Sequence, residues 1–167
     1  MSKDKEKPKK SVIDELKTFL LHAIVLIIIL LIGAYVFIVL FDKYVAIPEA
    51  KKSVTKIIHS QTLKYIKSES DKCGNGETLI MSNTLKCSDM NSKSLIQAAI
   101  NILHDKNPYH RLSDGPNAVR SSNSNTNDED VGYVSLSASG SDIIIKSCHK
   151  KPCSKEENRQ TSTVSIE

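Results

Sequence analysis

The chain has 167 residues, a quarter of them charged, with 23 Lys and Arg against 19 Asp and Glu for a formal net charge of +4. That length holds one domain with accessories rather than two. The charge is too small and too evenly spread to be a nucleic-acid footprint, so no nucleic-acid partner is expected.

The head, MSKDKEKPKK, is polar and lysine-rich, and residues 1–17 read as a basic tail on the cytoplasmic side of a membrane. From Thr18 to Phe41 run 24 residues without Asp, Glu, Lys or Arg. As a helix this stretch reaches about 36 Å, enough to cross a hydrocarbon core of about 30 Å. In lipid every backbone polar group needs an internal partner, so the segment is expected to be helical and surrounded by lipid. It is too long for the apolar part of a cleavable signal, and no clean small-x-small site follows it. His22 is ionisable but lies only about one turn inside the stretch, where its ring can reach the interface.

Past the span, VAIPEA places Pro48 at a joint, where a missing N–H costs little at a first-turn position, so the stem either continues as one long helix with a proline bend or breaks into two helices there. The following EAKKSVTKIIHSQTLKYIKSES carries Val54, Ile57, Ile58, Tyr65 and Ile66 at helical spacing, with lysines opposite, and predicts an amphipathic stem. Gly74, Asn75 and Gly76 mark a turn. A second helix is expected over NSKSLIQAAINILHDKN, capped by Asn91 or Ser92, buried through Leu95, Ala98, Ala99, Ile102 and Leu103, and ended by Asn107-Pro108.

Residues 111–130 are polar and turn-rich and read as one long loop, within which Asp128, Glu129 and Asp130 look like a solvated acidic turn rather than a calcium loop. The segments GYVSLSAS, SDIIIKS and TSTVSIE read as strands, with Ser139-Gly140-Ser141 turning between the first two. The expected fold class is α+β: a single N-terminal transmembrane helix continuing into an amphipathic helix that packs on a small antiparallel sheet, with residues 42–167 forming the extracytoplasmic part.

Four cysteines, Cys73, Cys87, Cys148 and Cys153, all lie beyond the span. They suit a disulfide framework stapling a small core in an oxidising compartment, and they place the C-terminal part outside and the N-terminus inside. Pairing Cys73 with Cys87 and Cys148 with Cys153 is simplest, although four cysteines allow three connectivities. A zinc site using the thiolates and His149 is the sharper alternative, but neither interval has the usual C-x₂-C form. His149 itself reads as an exposed turn residue, and His104 and His110 as residues at a helix end. No H-E-x-x-H, nucleophile elbow or phosphate-binding glycine loop occurs, so neither an enzyme nor a cofactor is expected.

The order of apolar stem, VAIPEAKKSV, a cysteine-bearing loop, a helix ending in NPY and terminal strands resembles the type IV pilin and pseudopilin family. In KKSVIDELKTF, a mature start at Ser11 would put Glu15 where that family has its glutamate, while Lys10 stands in place of its glycine. Lys10, Ser11 and Glu15 are thus a degenerate processing region, and Pro48 lies further along the chain than the family's stem proline. The resemblance implies a structural or assembly-accessory protein of a pilus or secretion apparatus in a bacterial inner membrane. Its partners would be lipid and other proteins, met through the transmembrane helix and stem. A membrane-tethered binding or sensing domain is the alternative, with the 111–130 loop as its ligand contact.

Overall fold

A computed structural model describes residues 12–110 and 114–166, and side chains from residue 15 onward. Lys10 and Ser11 lie outside the described residues. The chain divides into two compact units, one ending at Ile47 and the other beginning at Pro48.

In the first unit, α1 spans Val12–Phe41 and a π-helical turn follows over Asp42–Ala46. The Ile47 N–H reaches back to the Asp42 carbonyl, one residue further than an α-helical bond. Pro48 has no N–H and its ring crowds the carbonyl four residues earlier, so a wider turn just ahead of it spares the backbone a break. The expected joint is therefore a π-turn followed by uninterrupted helix: α2 spans Ile47–Gly74.

In the second unit, a two-stranded hairpin, β1 (Leu79–Ile80) and β2 (Leu85–Lys86), sits between Cys73 and Cys87. Met81, Ser82 and Asn83 all take positive φ, a left-handed run that non-glycine residues rarely adopt. Glu69 of α2 holds it in place. Its carboxylate accepts from the Met81 N–H and from the Lys72 ammonium, and the Lys72–Glu69 hydrogen bond raises the Lys72 pKa.

Helix α3 spans Ser92–Ile102 and starts with a reciprocal cap: Asn91 accepts from Ser94 N–H, and Ser94 Oγ accepts from Asn91 N–H. It ends before the expected Asn107. The following segment pairs instead with residues near 117, through Lys106–Asn117 and the bond from Ala118 N–H to the Asp105 carbonyl.

The main sheet has four strands in the order β3-β4-β5-β6: Val119–Ser121, Val134–Ser139, Asp142–Cys148 and Arg159–Ser165. The three expected strands form an antiparallel meander. The fourth, β3, corrects the reading of 111–130 as loop throughout, and it pairs parallel to β4. One sheet face, with Val134, Leu136, Ile143, Ile145 and Val164, packs against Ile58 and Ile66 of α2 and Leu95, Ile96 and Ala99 of α3.

The buried stripe of α2 is Thr55, Ile58, His59, Thr62, Ile66 and Glu69. This corrects the apolar count: Val54 and Ile57 are 41% and 54% exposed, while four polar residues, Thr55, His59, Thr62 and Glu69, take inward places. His59 and Glu69 are held there by hydrogen bonds to Ser162 and to the Met81 N–H on other elements, while Thr55 bonds back to the Lys51 carbonyl of its own helix; the apolar periodicity reports none of these.

Candidate functional site

Two features have functional potential: the apolar surface of α1 and a buried polar seam in the second unit. Along α1 the large side chains from Phe19 to Phe41 stand exposed, among them Phe19 at 74% and Leu30 at 71%. A continuous apolar surface of this extent needs lipid or other protein to cover it. Among the described residues this is the one helix long and apolar enough to cross a membrane. Glu15 is exposed in its first turns, and the His22 Nδ1 hydrogen-bonds the Thr18 carbonyl at 2.7 Å within the helix.

The seam begins on α2. His59 is fully buried, with its Nε2 2.9 Å from Ser162 Oγ on β6. Burial, and secondarily the neighbouring His149, lower its pKa from 6.5 to about 4. His149 is also buried, at 3% exposure, which corrects its reading as an exposed turn residue. The Tyr109 hydroxyl donates to its carbonyl at 2.6 Å, and its own N–H donates to the Asn158 carbonyl. Burial lowers its pKa, with Lys56 and Lys52 acting the same way, while the Glu157 backbone and Glu49 oppose them. Two imidazoles are therefore held neutral between a lysine-bearing helix and the sheet. Sequence spacing could not pair them, since they lie far apart in the chain.

Asn107, fully buried, organises the turn beside this seam. Its amide donates to the Val131 carbonyl and accepts from the Tyr109 N–H, at 3.0 and 2.8 Å. Gly132 packs directly on it at φ +82°. α3 ends at Ile102, so His104 lies just past its end and His110 well beyond it, which corrects the reading of both as helix-end residues; both are exposed, His104 meeting Asn117 and His110 tilting against the Tyr133 ring.

The acidic turn is only partly solvated. Asp130 is buried and pairs with Arg120, whose guanidinium lies 3.9 Å from the Tyr133 ring centre. Asp128 accepts from the Cys153 N–H at 2.8 Å, and Glu129 remains exposed. Two of the three carboxylates are thereby structural.

Cys73 is bonded to Cys87 and Cys148 to Cys153, each pair with Cα atoms 5.6 Å apart. With all four sulfurs so used, none remains a thiolate for zinc, and that alternative falls. The first bridge ties the end of α2 to the hairpin; the second closes the turn after β5 beside Val131 and Tyr109. Disulfides point to an oxidising, extracytoplasmic setting for this unit.

Comparison of the chain with protein-family models, curated proteins and solved structures gives no match.

Proposed function

We propose that the protein is a single-pass envelope protein of a bacterial inner membrane. In this reading α1 is its anchor and its extracytoplasmic α+β unit serves a pilin-like structural or assembly-accessory role. The observation that carries this reading is the exposed apolar surface of α1, which can be covered by lipid on some sides and by partner helices on others. The lysine-rich N-terminal tail favours a cytoplasmic start, and the two disulfides favour an oxidising compartment for the other unit. The sequence of parts, from stem helix through disulfide loop and α3 to the terminal meander, supports the pilin-like comparison.

Carbonate extraction of membranes is expected to leave the wild-type chain in the pellet. The double substitution Ile29→Asp with Leu30→Asp should release it, since each buried carboxylate costs about 3 kcal/mol at the centre of a span. A photo-crosslinking residue placed at Val36 is expected to capture another envelope protein or a second copy. Adducts confined to lipid would sink the assembly role, and a soluble wild-type chain would sink the anchor. Mass analysis of the N-terminus adds the last distinction: an intact Met1 fits an accessory, whereas a new end at Ser11 fits a filament subunit.

A further inference from the structure

The outer face of the sheet carries a polar row that the core does not use. By register, Arg120 on β3 lies beside Ser135 on β4, Ser135 beside Lys146 on β5, and Lys146 beside Thr161 on β6. Arg159 shares this face, two residues from Thr161. A cleft of roughly 360 Å³ opens there, lined among others by Ser124, Asn125, Thr126, Lys146, Arg159 and Thr161.

Its polar groups are incompletely matched from within the protein. Asn125 is 2% exposed, yet among the described residues neither its amide nitrogen nor its oxygen meets a partner. The Arg159 Nε is likewise buried without one, as is Ser135 Oγ in the adjoining row. Among the described residues neither Lys146 nor Arg159 forms an ion pair and no carboxylate lines the cleft. A buried amide left unsatisfied is costly, so such a group calls for an occupant. Two cations, an amide and several hydroxyls converging without a counter-charge specify its chemistry: a multivalent oxygen acceptor bearing negative charge.

We propose that this cleft is a binding site for an oxyanion of the phosphate or sulfate class. Lys146 and Arg159 supply the charge, while the Asn125 amide and the Thr161 hydroxyl supply oriented donors. The site goes beyond the anchoring role and does not depend on which partners α1 has. The phosphate can come from a solute or from a lipid headgroup, the recognised chemistry being the same.

The test uses the full chain in neutral detergent micelles, with the Asn125 side-chain amide followed by NMR during titration with inorganic phosphate and then sulfate. A saturable shift is expected. Lys146→Gln and Arg159→Gln should each weaken it by roughly tenfold, the worth of one charge-assisted hydrogen bond. Lys146→Arg, which keeps the charge, should largely retain it. Unshifted backbone signals elsewhere in these variants report that the fold is intact. Repeating the measurement in micelles doped with phosphatidylglycerol, without free phosphate, separates the sources: a shift there assigns a headgroup, and a shift with free phosphate alone assigns a solute. No saturable shift with either source overturns the proposal, and so does a shift that both glutamine variants leave unchanged.

Discussion

Replacing Gly132 with Ala is expected to cost the second unit about 3 kcal/mol or more, the sum of a left-handed backbone penalty and a steric one. At φ +82° the glycine occupies a conformation that a Cβ disfavours. A Cβ built there would also lie 2.1 Å from Asn107 Oδ1 and 2.7 Å from Tyr109 Cδ2. Neither neighbour can easily yield. The Asn107 amide is fixed at both ends by Val131 and Tyr109, and the Tyr109 hydroxyl is tied to His149. Displacing Asn107 would strand buried polar groups in addition to relieving the clash. Urea unfolding followed by tyrosine fluorescence should show the loss as a lower midpoint with an unchanged slope. A midpoint within error of wild type would mean that the turn relaxes freely.

Mild acid is expected to destabilise the same unit through His59. Its folded-state pKa of about 4 lies below the ordinary 6.5, so the fold favours the neutral ring. Below the ordinary value the unfolded chain binds the proton more readily. The stabilisation is therefore complete above pH 6.5 and is lost as pH falls towards 4. The full loss is about 3 kcal/mol, and the lowered pKa of His149 adds in the same direction. His59→Gln, which can still hydrogen-bond Ser162 but does not titrate, should flatten most of this dependence between those pH values. Stability profiles that superimpose for the variant and the wild type would refute the assignment.

Much of the architecture was legible because it rests on local pattern. The charge-free run from Thr18 to Phe41 lies within one helix, Asn91 caps α3, and the alternation around Ile143 and Ile145 is a strand. The misses were places where a distant partner decides. Val119–Ser121 is too short to show a period, and it becomes a strand only because β4 lies beside it. His59 enters the core because Ser162 is there to meet it, so Val54 and Ile57, better placed by hydrophobicity alone, are left outside. The oxyanion cleft was the least visible feature. Asn125, Lys146 and Arg159 share no motif spacing, and only sheet register and the loop past β3 bring them together.

The parallel pairing of β3 also sets a kinetic hierarchy. The meander β4-β5-β6 zips through near-neighbour contacts, whereas β3 must return past the crossover of residues 122–133 before its first ladder bond forms. The Arg120–Asp130 pair then fastens that crossover to the strand it came from. Protection against deuterium exchange is accordingly expected to be deepest in β5, bonded along both edges, and shallowest in β3, the last strand to dock and the first to fray. Faster exchange in β5 than in β3 would reverse that order.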